Sequence, residues 1–596
     1  MGKAKHSTKT SRVPTLSTAL DLAGQRVRGV VSEFLPNKKG PAKLSARKAG
    51  PFHPAKPTLS LGNPETAGEL LEGQFRFAGQ LLDVGPWTEA APSRRFAAWL
   101  HGFDWLDDLL AIESEAHHAK ACHYVDGWIE TYGKGNVFAW SPDRLVPRVF
   151  NWLSLWSPAL ANAESDQILE RRRASVLNQL MVLKSSLKSL PAGLIRLQAG
   201  CALVMGGARL TDGHASFLER GLDFLDAEIA LQILPDGGHI SRAPANTVQA
   251  LRYLLTLDTL LADRGLEGSR DLSRAIDRLA PMVAFFRRAG GELAPFQGGG
   301  EGQKDNISEL LSVAPGEPKP FSYGPHTGYQ RLSSDGTVVL VDTGGVAPRP
   351  FDHQSHLAPL AFDLSTPEGA IMTACGYNPE QPQSWSRPVR AAAAHSTLIL
   401  DDRSPGRLLQ TEWKRRVVGD VVEHDPGPVR ASRKEQESGF WLEGHHEGYM
   451  ADYGLAHRRR LFLPKDGSDI RGEDSLFVPV GVTPLRRDEV PFAIRFHLHP
   501  DVRASLSQDQ SSTLIVIGGK AGWRFRTDGG QLALEDSVYL GVGHVPVKTQ
   551  QIVIRGRAFC DSDGETRSNR VRWSIRRLKP ADSKPSATQS DKLVSL

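Results

Sequence analysis

The chain has 596 residues, 40% of them hydrophobic and 23% charged, a balance that fits a soluble globular protein and is too long for a single core. No stretch approaches the ~18–20 uninterrupted apolar residues that a membrane-spanning helix needs. The formal charge of +5 is concentrated at the start: residues 1–50 carry eleven Lys/Arg against Asp21 and Glu33, leaving the remainder at −4. A mildly acidic body excludes a nucleic-acid-binding face. Four cysteines without a Cys-x-x-Cys are neither a disulfide framework nor a zinc ribbon, and read as buried thiols.

Residues 1–60 read as a basic, largely disordered tail. Within it, 16–35 has the spacing of an amphipathic helix, with Leu20, Val27, Val30, Val31 and Phe34 on one side. Such a helix either packs on the body or lies on a membrane surface. The basic start lacks the compact apolar run and small-residue cleavage site of an export signal. Residues 36–57 form a Pro/Lys/Gly/Ala linker.

From 61 to 318 the period is helical. Leu177, Leu180, Met181, Leu187 and Leu190 recur at three- and four-residue steps, as do Leu251, Leu254, Leu255 and Leu261 before a stop at Gly265. Near 325 the period changes. The runs Thr337–Asp342, Thr397–Leu400, Leu514–Ile517, Trp523–Arg526 and Gln551–Ile554 are short and β-rich. Hairpin-type turns at Asp335-Gly336 and Asp528-Gly529-Gly530 predict an antiparallel sandwich over 319–580. Residues 581–596 are polar and read as a disordered tail. Helices precede sheets, and the junction offers a cleft.

Three constellations could carry chemistry there. Pro235-Asp-Gly-Gly-His-Ile-Ser-Arg-Ala-Pro-Ala-Asn246 delivers an acid or base (His239), a carboxylate-binding cation (Arg242) and an amide (Asn246) to a helix start; turn and cap chemistry explains the same residues. In Trp140 to Trp152, Arg144 and Arg148 share a helical face, with Asn151 and Trp152 following. A Trp can stack on a sugar while Arg and Asn hold its hydroxyls or carboxylate, or the Trp is core and the Arg solvated. The sheet region is dense in histidine: His353, His356, His395, His445, His446, His497 and His499. Two histidines one residue apart on a strand share a face and make a permissible zinc pair, although a hydrogen-bonded structural histidine is the commoner use.

From about 63 to 575 these segments resemble the heparinase II/III-like proteins, in an alphaproteobacterial-type branch. The resemblance is carried by Trp99-Leu-His-Gly-Phe-Asp-Trp105, Arg148 to Trp152, Asp236 to Arg242, His356-Leu-Ala-Pro-Leu-Ala-Phe-Asp-Leu364, Ala394-His-Ser-Thr397 and His457-Arg-Arg459. It implies an incomplete (α/α) toroid followed by an antiparallel β-sandwich. It also implies β-elimination on a uronic-acid-containing polysaccharide in the cell envelope or periplasm, with a cytoplasmic site as the alternative and a homodimer as one possible assembly.

That reaction needs a base for the C5 proton, an acid for the departing O4 and neutralisation of the uronate carboxylate. The expected catalytic residues are His239, His356, His353 and Tyr329. Arg242, Asn246, Arg148, Asn151, Trp152, Trp105 and His101 are expected to bind substrate. Relatives use a tyrosine on the helical side of the cleft; Asn246 occupies that position, and the nearest tyrosines are Tyr253, Tyr323 and Tyr329. No redox cofactor is implied. A zinc ion would be held by His356 and His395, but the strand expected to supply an aspartate reads Thr373-Ala-Cys-Gly376, leaving Cys375 as a softer substitute. Two other readings stay open: a glycan-binding protein on the same scaffold, and a glycoside hydrolase, which needs two carboxylates across one bond.

Overall fold

The computed structural model describes residues 50–53, 59, 61–87, 90–156, 160–211, 215–519, 521–562 and 569–578. The expected amphipathic helix at 16–35 and the tail at 581–596 lie outside them.

The first half is helical: α1 (Pro64–Glu72), α2 (Arg94–Gly102), α3 (Glu115–Tyr132), α4 (Pro142–Ser154), α5 (Asp166–Ser186), α6 (Leu194–Arg209), α7 (Ala215–Gln232), α8 (Pro244–Asp263), α9 (Arg270–Phe286) and α10 (Lys304–Val313). Local chemistry sets many of their starts. The hydroxyls of Ser93, Ser114, Ser165 and Ser269 accept from backbone N–H groups that the first turn leaves unpaired. Pro64, Pro142 and Pro244 occupy first-turn positions, where a missing N–H costs nothing. On α5, Leu177, Leu180 and Leu183 are buried, whereas Met181 points outward and is 37% exposed, so the sequence pattern overstated the apolar stripe there. Helix α8 ends two residues before Gly265, which takes the left-handed φ of +64°.

Among the described residues the second half contains a small two-stranded sheet, which pairs Arg407–Leu408 with Val422–His424, and two large antiparallel ones. One runs, edge to edge, through Arg430–Gln436, Gly439–His446, Ala456–Pro464, Asp469–Phe477, Asn569–Arg577, Ala521–Thr527, Ser512–Ile517 and Val502–Leu506. The other runs through Gln531–Tyr539, Val547–Phe559, Glu489–Leu498, Gly369–Thr373, Phe362–Thr366, Thr337–Asp342, Tyr329–Ser334 and Tyr323–Gly324. Between them lies an apolar core in which Phe362, Phe496, Phe525 and Trp573 meet.

The Asp335-Gly336 turn takes positive φ at both residues and joins two paired strands, the geometry of a two-residue hairpin. Asp528-Gly529-Gly530 does something else. The strand before it pairs with Ser512–Ile517 and Asn569–Arg577 in one sheet, and the strand after it pairs with Val547–Phe559 in the other. The expected hairpin is a crossover between layers.

A buried ionic network fastens the helical half to the sheets. Arg288, just after α9, donates from Nε to Asp363 Oδ1 at 3.0 Å and from a terminal nitrogen to Asp363 Oδ2 at 2.7 Å and Thr373 Oγ1 at 2.7 Å. It also pairs with Glu301, which accepts from Tyr539 and, at 3.0 Å, from His499. Burial alone would raise the Glu301 pKa, but the Arg288 charge and these donors hold it well below the usual carboxylate range.

Candidate functional site at the domain junction

The loop 235–243 runs from α7 to α8 against the sheets. Asp236 Oδ2 accepts from the backbone N–H groups of His326 at 2.8 Å and Thr327 at 2.7 Å. Approach this close requires glycine: a Cβ on Gly238 would sit 1.9 Å from Thr327 Cγ2, and one on Gly237 2.0 Å from the Arg278 carbonyl oxygen.

His239 is 1% exposed. Its Nε2 donates to Gln232 Oε1 at 2.9 Å, and its Nδ1 accepts from the Ser241 hydroxyl at 2.7 Å. Burial pushes its pKa down to about 3, so the ring is neutral. The chain of bonds continues outward: Asn246 Nδ2 donates to Ser241 Oγ at 2.8 Å and to Gln354 Oε1 at 3.3 Å across the junction. His239 thus orients Asn246, which bridges to the sheet domain through Gln354, from beneath.

Arg242, at φ +63°, turns into the junction and bonds the Thr327 carbonyl at 2.6 Å, the Gly345 carbonyl and Asp342. Its backbone carbonyl accepts from the Tyr329 hydroxyl at 3.0 Å, and its guanidinium lies over that ring. Burial, then the Asp342 charge, drives the Tyr329 pKa well above its ordinary value. Both side chains clamp one domain to the other; Tyr329 is fully buried, and Arg242 keeps only an edge open, towards the space bounded by Tyr323 and residues 428–431.

The α4 group is likewise internal. Arg148 bonds Gln179 at 2.7 Å and the carbonyls of His101 and Ala139 at 2.9 Å, with its guanidinium 4.0 Å from the centre of the Trp128 ring. Asn151 bonds the Gly102 and Phe103 carbonyls and Asp104, each at 3.1 Å. Trp105 and Trp152 are fully buried, and His101 accepts from Trp128 Nε1 at 3.0 Å. Burial, then the Arg148 and Arg144 charges, pushes His101 down to about 3. The expectation that these five residues wall a sugar site gives way to a core role. The sequence could not distinguish a Trp that stacks on a ligand from one that stacks on its own helices.

In the sheet domain, His356 and His395 lie side by side with ring centroids 4.3 Å apart. The fit to zinc fails on the donors. Backbone N–H groups stand at both His356 nitrogens, from Gln297 at 3.1 Å and Gly298 at 2.7 Å; a neutral imidazole has one lone pair, and either N–H occupies it ahead of a metal. Thr373 is held by Arg288, and Cys375 Sγ lies 3.7 Å from His497 Nδ1. Among the described residues, no three His, Cys, Asp or Glu side chains converge on a metal-sized site. The other histidines take separate partners: His446 bonds His457, His457 bonds Asp474 at 2.8 Å, and His497 bonds Ser537 at 2.8 Å.

His353 stands exposed on the short turn Asp352–Gln354, beside the Gln354 that meets Asn246. Sequence reasoning gave too little weight to the α8 surface, where Asn246, Gln249 and Tyr253 recur at i, i+3 and i+7 and are all half-buried. Tyr253 packs on Phe150, and burial, then the charge of exposed Asp104, raises its pKa. That spacing was the available signal.

The heparinase II/III-like C-terminal family model matches residues 316–574. The FtsZ-localized protein C of Caulobacter vibrioides (strain NA1000 / CB15N) is 32% identical over 550 residues, 90% of each chain. This chain belongs to the heparinase II/III-like family. The family's architecture, an incomplete (α/α) toroid followed by an antiparallel β-sandwich, is shared with two solved lyases. The heparan sulfate lyase HepC of Pedobacter heparinus matches at TM-score 0.55 and 14% identity, over 94% of this chain and 88% of that one. A heparinase III structure matches at TM-score 0.61 and 13% identity, over 96% and 92%. At such identities the heparinase II/III-like likeness is one of fold.

Proposed function

We propose that this family member binds an acidic glycan in the junction cleft and has lost most or all β-elimination activity. The observation that carries this reading is Asn246. It occupies the position at the domain junction where the lyase resemblance expects a tyrosine, and an amide can hold a hydroxyl but cannot move a proton. His239, His356 and Tyr329 are buried and engaged, which leaves His353 as the exposed histidine of the expected set. The fold relatives named as lyases support a polysaccharide as ligand. Incubation with a panel of uronate polysaccharides should show binding by calorimetry without growth of unsaturated-uronate absorbance near ~230 nm, and His353→Ala should weaken the binding. Sustained product formation that His353→Ala abolishes would restore the lyase reading.

A second reading rests on the relative that matches along 90% of both chains and is named for localising with FtsZ. A fluorescent fusion of this protein should form a midcell band that disperses when FtsZ is depleted; uniform fluorescence counts against it. Fractionation of the same cells decides between an envelope and a cytoplasmic site.

A further inference from the structure

A second cleft, of about 390 Å³, opens at the end of the sandwich where strand Tyr323–Gly324 and the segment 428–431 diverge. It lies on the Arg242 side of the 235–243 loop, and neither Asn246, Gln354 nor His353 lines it. Its volume is within the roughly 300–1,000 Å³ usual for small-ligand sites.

Gln330 lines this cleft while being only 4% exposed, and its Oε1 is buried without a hydrogen-bond partner. A buried carboxamide left unpaired is costly unless something arrives to pair with it. On the strand Tyr329–Ser334, Gln330 falls on the same side as Leu332, which points into the inter-sheet core, so the amide stands where that core opens. At the rim Tyr323 is 48% exposed, and Leu234, Ile240 and Val429 supply apolar walls.

Charge narrows the ligand. Among the described residues lining the cleft there is no carboxylate, and the Arg242 guanidinium is already engaged by Asp342 and two carbonyls. A carboxamide offers an acceptor and a donor side by side, which matches the N–H and C=O of a secondary amide. The apolar walls suit its methyl group, and an exposed Tyr ring suits the C–H face of a sugar. A peptide also carries secondary amides, but it binds sheet edges by strand addition, and the edge strand here is two residues long.

We propose that this cleft is a second saccharide site, selective for a neutral 2-acetamido hexose residue, with Gln330 pairing the acetamido group and Tyr323 stacking on the ring. Saturation-transfer NMR and calorimetry on the full chain, with N-acetylglucosamine and its β-1,4 dimer as probes, test it. Transfer to the acetyl methyl is expected, with glucose and glucosamine binding about tenfold more weakly. Gln330→Leu should weaken the dimer about tenfold with no loss of melting temperature, because it removes an unpaired amide. Tyr323→Ala, at the exposed rim, should weaken it roughly fivefold and decides the matter if the first variant does not fold. Asn246→Ala should leave dimer binding unchanged while affecting uronate polysaccharides, which separates this site from the junction cleft. The proposal is overturned by absence of transfer at millimolar sugar, by binding that survives both variants, or by N-acetylglycine methylamide binding as tightly as the sugar.

Discussion

Replacing Arg288 with methionine removes the cation from a site where two carboxylates depend on it. The two are not equally exposed to the loss. Glu301 keeps donors from His499, at 3.0 Å, and Tyr539. Asp363 has no other side-chain hydrogen bond among the described residues, and it is 2% exposed. Stripping one partner from a buried pair costs about 3–5 kcal/mol, most of it here the stranded Asp363. At about 2–4 °C per kcal/mol for a unit of 150–250 residues, the melting temperature should fall by roughly 6–20 °C. Urea unfolding followed by tryptophan fluorescence reads the free energy directly. The discriminating variant is Arg288→Met with Asp363→Leu, which removes the stranded charge and should be more stable than Arg288→Met alone. A loss below about 1 kcal/mol in the single variant, the size of an exposed pair, refutes the reasoning. So does a double variant whose losses simply add.

Gly472 lies under the Trp573 ring, where a new Cβ would come within 2.1 Å of ring carbon Cζ2. Gly472→Ala should therefore destabilise by about 1–3 kcal/mol or more in thermal melts, with Trp573→Leu relieving part of the clash in the double variant. Acid should weaken the fold early, because His101, His239 and His497 are held neutral with pKa values of about 3. The unfolded chain takes up these protons first, near pH ~6.5, so each histidine contributes stability that is complete above that value and lost as the pH falls towards its folded pKa. The slope is about 1.4 kcal/mol per pH unit per residue. Urea midpoints at pH 7 and pH 5 should differ accordingly, and His239→Gln should flatten the slope by about one proton; equal midpoints in the parent protein refute it.

The architecture was legible because its signals are local. A 3.6-residue period gives way to a two-residue one, and Asp335-Gly336 accounts for its own hairpin. What was not legible depends on partners distant in sequence. Nothing near Asp528-Gly529-Gly530 reveals that the next strand joins the opposite sheet. Arg242 and Arg148 have the same composition-level appearance whether they meet a uronate or, as found, Asp342 and Gln179. Sequence spacing left a zinc pair open among the histidines because it ignores where backbone N–H groups lie, and two of them face His356. Asn246 stood out in the sequence from one position alone, whereas its support through Ser241, His239 and Gln232 required the fold.

The strand Asn569–Arg577 lies in the interior of its sheet, between Asp469–Phe477 and Ala521–Thr527. On the ribosome, residues 478–568 must emerge between that strand and its first partner, a lag of about 5–20 s at roughly 5–20 residues per second. The edge of Asp469–Phe477 waits throughout that interval, and once Ala521–Thr527 has emerged the half-built layer offers two raw strand edges in place of a seam, while the helical half upstream is free to consolidate. The nascent chain is therefore most vulnerable to illegitimate strand pairing just before Asn569–Arg577 emerges, and holdase chaperones would matter most in that window.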